Sequence, residues 1–274
     1  SRIPRVHAPR GTATITELKP TSPPGSETGP DAGQLQMAIS LLARGELPPG
    51  WQWVRSSRNA RVARQVAASV FYKEFLPRGP MEKVKARLRG SRATRARRNN
   101  DMLLRAGFNA PRNLAWGALP RGRHYLVSAA VPGEGITEWL RCRLSGRYRK
   151  DLRERRRLLR ALGGFIGRLH CAGFVHGDLR PSNVLAIDTG ERFEFALIDN
   201  ERNVRRRPPE LRRLKRNLMQ LNMLLPSDLT GTDRWRFFLA WREAMPSLSD
   251  AEARGVAVGA YHWAIRRLQA KGKL

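Results

Sequence analysis

One segment near the middle of the chain, residues 158–200, limits the fold more than any other part of the 274-residue sequence. It combines an apolar stripe, the segment HGDLRPSN, and two short apolar runs around a turn signal, the second of which ends in ALIDN. The stripe advances by three and four residues, which predicts one face of a helix, and Gly173 stands where a C-cap glycine is expected. The two apolar runs, 184–187 and 193–198, predict a β-hairpin with its turn at Asp188-Thr189-Gly190. The stripe consists of Leu158, Leu159, Leu162, Phe165, Ile166 and Leu169.

The predicted hairpin brings two oxygen-bearing side chains together. Asn183 precedes the first strand and Asp199 follows the second, so both lie at the same edge of the sheet. Amide and carboxylate oxygens are ligands that Mg²⁺ prefers, and Asp178 in the same loop can position a substrate hydroxyl. Lys73, far upstream, offers an ammonium group to nucleotide phosphates. This order of residues predicts an ATP-dependent phosphoryl-transfer site, and His176 is expected to hold the loop by packing and hydrogen bonding.

The chain resembles the protein-kinase-like superfamily, and within it the lipopolysaccharide core kinases (Kdo and heptose kinases), in the segments HGDLRPSNVL and ALIDNERN. Softer similarity extends over most of the chain, in VRSSRNARV, FYKEFLPR, LLRAGFNAPRNLAWG and LKRNLMQLN. The resemblance implies an α+β, two-lobed protein-kinase-like fold with a small β-rich N-lobe and a mainly helical C-lobe. It also implies ATP and Mg²⁺ as cofactors and a sugar hydroxyl of the lipopolysaccharide inner core as acceptor. Carried over by position, Asp178 is the base, Asn183 and Asp199 are the metal ligands, and Lys73 contacts the phosphates.

The sequence departs from this family pattern around the nucleotide. No glycine lies between Trp51 and Leu76, so Ser56, Ser57 and Arg58 are expected to form the turn over the phosphates in place of a glycine-rich loop. Kinase lysines pair with a glutamate on the next helix. No acidic residue lies between Glu82 and Asp101, so either of these two is the candidate partner of Lys73.

The organisation along the chain follows the same scheme. Residues 1–34 are rich in Pro, Gly, Ser and Thr and are predicted to form a disordered tail, followed by an N-lobe at 35–130 and a C-lobe at 131–274. We expect strands within 51–75 and 124–130, a basic helix within 81–106 that ends at Gly107, and Thr137 as the cap of a short helix. Near the C-terminus lies a cluster of four aromatic residues, which is predicted to belong to helices that pack on the C-lobe. The cluster comprises Trp235, Phe237, Phe238 and Trp241.

The charge of the chain indicates an anionic partner. There are 52 Lys and Arg residues against 23 Asp and Glu residues, a net charge of +29, and such self-repulsion is relieved by binding anions. The positive charges cluster at 83–98, 147–157 and 202–216. Lipopolysaccharide core glycolipid and an anionic membrane surface are the expected partners, with nucleic acid less favoured. Without an apolar leader or a spanning segment, the expected location is cytoplasmic, peripheral on the inner face of the cytoplasmic membrane.

Two other functions compete with a sugar kinase. One is an atypical protein kinase or ATPase linked to RNA modification, because HGDLxxSN suits small kinases of that sort and the high positive charge suits tRNA. The other is an anion-binding pseudokinase. The complete set of Lys73, Asp178, Asn183 and Asp199 argues against a pseudokinase, and the similarity outside the site favours the sugar kinase over the RNA-linked enzyme.

Overall fold

The computed structural model describes residues 31–77, 79, 90–145 and 148–274, which divide into two compact units. The first unit comprises the described residues up to Arg97 together with Arg112–Ala130. The second comprises Arg98–Pro111 and Val131–Leu274. A β-sheet dominates the first unit and helices dominate the second, which is the α+β architecture predicted from the sequence.

The first unit is an antiparallel five-stranded sheet with a helix against one face. Its strands lie in the order β1-β2-β3-β5-β4. Helix α2 begins in this unit and ends in the second. The elements are α1 (Ala32–Arg44), β1 (Trp51–Val54), β2 (Ala60–Gln65), β3 (Val70–Phe75), α2 (Arg92–Arg105), β4 (Asn113–Leu119) and β5 (Arg123–Ala129).

Helix α1 was not predicted from the sequence. The side chain of Asp31 accepts a hydrogen bond from the backbone N–H of Gly33 at 3.2 Å and caps the helix, and Gly45 ends it at a φ of 90°. Its apolar face packs on the sheet through Leu35, Ile39 and Leu42. Residues 32–34 are therefore helical rather than part of the predicted tail, whereas residues 1–30 lie outside the described residues.

Strand β3 has two chemically different faces, as its alternation predicts. Phe71, Lys73 and Phe75 point to one face, and Phe75 is buried beside Ala93 of α2. Glu74 points to the other face and is fully buried, where it forms ion pairs of 2.6 and 2.7 Å with Arg61 and Arg123. The hydroxyl of Tyr72 also donates to Glu74 at 3.3 Å. Buried charge is stable only when it is paired in this way.

The second unit is mainly helical and carries the predicted hairpin. Two short strands pair as β10-β7, and three form the order β6-β8-β9. Among the described residues, no helix combines the length and apolarity needed to cross a membrane. The elements are β6 (Glu134–Gly135), α3 (Ile136–Glu138), a π-turn (Trp139–Arg143), α4 (Arg149–Cys171), β7 (Phe174–Val175), β8 (Val184–Asp188), β9 (Phe193–Leu197), β10 (Val204–Arg205), α5 (Leu211–Leu221), α6 (Gly231–Glu243) and α7 (Asp250–Gln269).

Helix α4 carries the predicted apolar stripe into the core and is followed by Gly173 at a φ of 84°. It packs closely on α6 because Gly167 has no side chain: a Cβ there would lie 2.8 Å from the carbonyl oxygen of Trp241. Trp241 itself is fully buried, as predicted, but Trp235 is 55% exposed. The predicted cap was also wrong, because Thr137 lies inside α3, whose N-cap is Gly135.

Two of the three basic runs contain arginines that are structural. Arg92 is only 6% exposed, donates to the carbonyl oxygen of Asn59 at 2.9 Å and stacks over the Phe75 ring. Arg155 is 5% exposed and pairs with Asp233 at 3.0 Å. These two guanidinium groups are therefore not available to an anionic surface. The part of the first run at 83–89 lies outside the described residues.

Candidate active site

The loop that carries Asp178 is held at its start by His176. The Nδ1 atom of this imidazole accepts the N–H of Asp178 at 3.1 Å, so Nε2 carries the proton and donates to the carbonyl oxygen of Ile198 at 3.0 Å. Burial lowers the pKa of His176, which keeps the ring neutral. The side chain of His176 thus links Ile198, the residue before Asp199, to Asp178. This is the role predicted for it, to hold the loop in place.

Beneath His176, a buried chain of polar groups supports the loop from α5 and α6. Asn217 accepts the backbone N–H of His176 at 3.0 Å and donates to the carbonyl oxygen of the same residue at 2.5 Å. The Oδ1 atom of Asn217 also lies 3.2 Å from Nε2 of His170, and the indole N–H of Trp241 donates to the other ring nitrogen at 3.0 Å. Burial lowers the pKa of His170 to about 4, so His170 is a neutral structural histidine.

The middle of the loop is packed too tightly for any side chain at Gly177. A Cβ there would fall 2.5 Å from the carbonyl oxygen of Arg202, well inside van der Waals distance. The Gly177 N–H donates to Asn203 at 3.3 Å, and the Leu179 N–H donates to Gln220 at 3.1 Å. The loop is therefore clamped between α5 and the segment that follows Asp199.

The two predicted metal ligands meet at the edge of the hairpin. Strands β8 and β9 pair with Val184 opposite Leu197, and the N–H of Ile198 donates to the carbonyl oxygen of Asn183 at 3.0 Å. The amide NH₂ of Asn183 donates to the carbonyl oxygen of Asp178 at 2.9 Å, so Oδ1 is the atom of this side chain that could bind a metal ion. Asp199 is exposed and has left-handed backbone angles, φ 61° and ψ 47°. Such a conformation is uncommon for a non-glycine residue and is frequent at functional sites.

A cluster of four asparagines holds the segment after Asp199. The side chain of Asn200 donates to Asn100 of α2 at 2.9 Å and to the carbonyl oxygen of Leu197 at 2.8 Å. Asn203 donates to Asn200 at 2.8 Å, and Asn99 donates to the Asn200 carbonyl oxygen at 2.6 Å. This asparagine cluster could not be predicted from a local pattern, because Asn99 and Asn100 precede Asn200 and Asn203 by about a hundred positions in the chain.

Arg180 is a further residue of the site that was not predicted from the sequence. Its Nε lies 3.0 Å from Oδ1 of Asp178, while its own side chain is 66% exposed and that of Asp178 is 22% exposed. A basic residue two positions after Asp178 in HGDLRPSN was the available signal. The pair holds the carboxylate at the surface of the loop.

The predicted nucleotide-binding residues lie in the first unit. Lys73 is in β3, with its ammonium nitrogen 5.2 Å from the centre of the Phe75 ring. Ser56, Ser57 and Arg58 are exposed in the loop between β1 and β2, where the Ser56 hydroxyl donates to the carbonyl oxygen of Ala60 at 2.8 Å. Of the two suggested partners of Lys73, Glu82 lies outside the described residues and Asp101 belongs to the second unit; the pairing stays a prediction.

The structure therefore brings together Asp178, Asn183 and Asp199 within one unit. The donor set suits Mg²⁺, because an amide oxygen and a carboxylate are both hard ligands. They lie at the exposed end of a hairpin that the backbone bond from Ile198 to Asn183, the side-chain amide of Asn183 and the ring of His176 hold in place. Lys73 and the residues 56–58 occupy the other unit.

Comparison with known sequences gives one family. The sequence pattern described as "Lipopolysaccharide kinase (Kdo/WaaP) family" matches residues 52–241, more than half of the chain. The match includes all the residues named above for the site. A comparison with curated proteins found no match.

Comparison with solved structures gives the fold. WaaP in complex with acyl carrier protein matches with a TM-score of 0.56 and 19% identity, over 85% of this chain and 95% of WaaP. An aminoglycoside-3'-phosphotransferase of type VIII matches with a TM-score of 0.52 and 16% identity, over 83% and 98% of the two chains. At such low identities these matches bear on the fold alone, and they confirm the predicted protein-kinase-like fold.

Proposed function

The chain belongs to the lipopolysaccharide kinase (Kdo/WaaP) family, and from that premise we propose that it transfers the γ-phosphoryl group of ATP to a sugar hydroxyl, of Kdo or heptose, in the lipopolysaccharide inner core. The observation that carries the proposal is the convergence of Asp178, Asn183 and Asp199 at one hairpin edge, with backbone and imidazole hydrogen bonds that hold them there. An inactive relative would have no need of that complete set.

In the proposed mechanism Asp178 orients the acceptor hydroxyl and takes its proton. The hydroxyl oxygen forms the new bond to the γ-phosphorus, the bond from that phosphorus to the bridging oxygen breaks, and ADP leaves. Mg²⁺, held by Asn183 and Asp199, would neutralise charge on the phosphates when bound. Lys73 contacts the phosphates, and the loop of Ser56, Ser57 and Arg58 covers them with hydroxyl, backbone N–H and guanidinium groups.

Substitutions separate the two carboxylates of the proposal. Asp199→Ala should abolish Mg²⁺-dependent binding of a non-hydrolysable ATP analogue in calorimetric titration, because a metal ligand is lost. Asp178→Ala should leave that affinity unchanged and lower kcat by about 10²–10⁴, the usual contribution of a positioned acid/base group. Glu191→Ala, which removes an exposed carboxylate between β8 and β9, is the matched control and should change neither. Equal loss of nucleotide binding in Asp178→Ala and Asp199→Ala would show that these roles are misassigned.

The acceptor class has its own test. Purified protein with radiolabelled ATP should label inner-core acceptors that contain Kdo or heptose, and it should label neither an aminoglycoside nor tRNA. Labelling of tRNA instead would move the protein to the RNA-linked alternative. Peripheral association with the inner face of the cytoplasmic membrane follows from a glycolipid acceptor and the net charge of +29, and co-sedimentation with anionic vesicles across a salt series tests it.

We further propose an acyl carrier protein as a partner. One solved structure of this fold is WaaP in complex with acyl carrier protein, and helices α4 to α7 of this chain line an open cavity of about 480 Å³ whose side chains are mostly apolar. Its lining includes Leu162, Leu218 and Phe238, with Arg234 and Arg254 as charged members. Such a lining suits an acyl chain.

Differential scanning calorimetry tests this partner. Acyl carrier protein loaded with a long-chain acyl group should raise the melting temperature of the kinase, whereas the unloaded carrier should not. Leu162→Gln, which places an amide among the apolar side chains of the cavity, should remove the difference. An equal effect of loaded and unloaded carrier would contradict the assignment of the cavity to an acyl chain.

A further inference from the structure

Five arginines lie on the stretch of chain that follows the metal-binding edge. Residues 202–212 contain only one carboxylate, that of Glu210, and all five arginines are exposed. We call them the arginine strip, which consists of Arg202, Arg205, Arg206, Arg207 and Arg212. Unlike the first two basic runs, none of the members of this strip is buried.

The strip begins against the catalytic loop. The backbone of Arg202 is packed directly on Gly177, the residue before Asp178. Strand β10 then pairs with β7, with Val204 opposite Val175, and the N–H of Arg206 donates to the carbonyl oxygen of Gly173 at 2.9 Å. The chain that carries the strip therefore runs alongside the residues that lead into the loop.

Several of the strip's side chains are already anchored. The Nε of Arg207 donates to the carbonyl oxygen of Ala172 at 3.0 Å, and the guanidinium of Arg205 stacks over the Phe174 ring at 4.9 Å. Arg206 forms an ion pair with Glu210, and Arg202 lies 3.5 Å from the carboxylate of Glu201. The side chains of Arg202 and Arg206 nevertheless keep 49% and 65% of their surface exposed. Side chains held in this way lose less entropy when a ligand binds.

We propose that the arginine strip binds carboxylate or phosphate groups of the acceptor saccharide and so places its hydroxyl at Asp178. This inference rests on the proposed function and specifies the acceptor further, as a polyanionic saccharide. Planar guanidinium groups form paired, charge-assisted hydrogen bonds with carboxylate and phosphate. A membrane or an RNA could bind any exposed basic face, whereas this strip adjoins the loop where the acceptor hydroxyl must lie.

The test is direct binding of a soluble acceptor. Arg202, Arg206 and Arg212 are changed together to Gln, and inner-core oligosaccharide freed of its acyl chains is titrated calorimetrically without ATP. The matched control changes Arg160, Arg266 and Arg267 to Gln, three exposed arginines of α4 and α7 in the same unit, so that both variants lose the same charge. Each lost charge-assisted hydrogen bond corresponds to about tenfold in Kd.

The expected result is at least about tenfold weaker binding for the strip variant and a change of less than about twofold for the control. Affinity for an ATP analogue should be unchanged in both. Oligosaccharide with its phosphates removed and its carboxyl groups reduced should bind the wild type as weakly as the charged form binds the strip variant. Equal losses in strip and control variants, or no preference of the wild type for the charged oligosaccharide, would overturn the proposal.

Two further outcomes separate this inference from the kinase function. Binding that depends on the strip but is followed by no phosphoryl transfer would remove the proposed activity and leave the strip's assignment intact. In the other outcome, the strip variant binds the oligosaccharide as well as the wild type does but no longer binds tRNA or phosphatidylglycerol vesicles. That result would overturn the assignment of the strip to the acceptor and would favour those anions instead.

Discussion

Replacing Asn217 by Leu should release the catalytic loop from α5. The side chain of Asn217 is 1% exposed and bonds the N–H and the carbonyl group of His176 and the ring of His170. Leucine has a similar size but satisfies none of these groups, so three buried polar groups lose a partner. Each such group costs about 1–3 kcal/mol, so the free energy of unfolding should fall by at least about 3 kcal/mol.

Urea unfolding followed by circular dichroism measures the loss of stability, and kcat measured under folding conditions shows whether the catalytic loop is still held in place. Asn217→Leu should lower the unfolding midpoint and kcat. Arg216→Leu, which changes an exposed neighbour on the same helix, should lower neither. Asn217→Asp is the sharper variant, because it keeps the one acceptor oxygen of the side chain and replaces the NH₂ donor to the His176 carbonyl oxygen by a carboxylate oxygen, which cannot donate. A wild-type midpoint together with a wild-type kcat for Asn217→Leu would refute the view that this amide supports the loop.

Three more predictions follow from buried polar groups. Glu74→Gln should destabilise the protein by about 3 kcal/mol. This is the lower end for a broken buried ion pair, because both arginine partners reach solvent. Urea unfolding checks this, with Glu46→Gln, a change at an exposed glutamate, as the control. Asn200→Leu should raise the Mg²⁺ concentration needed for half-maximal activity, because the segment that begins at Asp199 loses the hydrogen bonds of its neighbour; a Mg²⁺ titration of activity that matches the wild type would contradict it. His170, whose pKa is about 4 in the folded protein, binds a proton only after unfolding between about pH 6.5 and pH 4, so stability should fall as the pH falls through that window, by roughly 3 kcal/mol in total. Unfolding midpoints measured over this range should depend less on pH in His170→Gln than in the wild type, and identical pH dependence in the two proteins would contradict this.

Elements with a strong local period were predictable from the sequence. The stripe of α4 and the alternating hairpin 184–198 depend on spacing within one segment, and both formed where expected. The convergence of Asn183 and Asp199 followed from the geometry of that hairpin. These are short-range consequences of the residue pattern.

Contacts between distant segments could not be predicted in this way. Asn99 and Asn200 are ordinary polar residues in the sequence and become a buried pair only through the fold. The sequence also could not distinguish exposed from buried arginines in the basic runs. A charge run is usually solvated, yet Arg92 and Arg155 are buried with specific partners. The ion pairs of Glu74 likewise join strands whose pairing no local period reveals.

The function we propose for this chain is phosphorylation of a sugar of the lipopolysaccharide inner core. The most direct measurement is mass spectrometry of core oligosaccharide from cells that lack the gene and are complemented with either the wild type or Asp178→Asn. We expect the wild type to add one phosphate to the core and the variant, at equal protein levels, to leave that phosphate absent. A core that carries the same phosphates in both strains would contradict it.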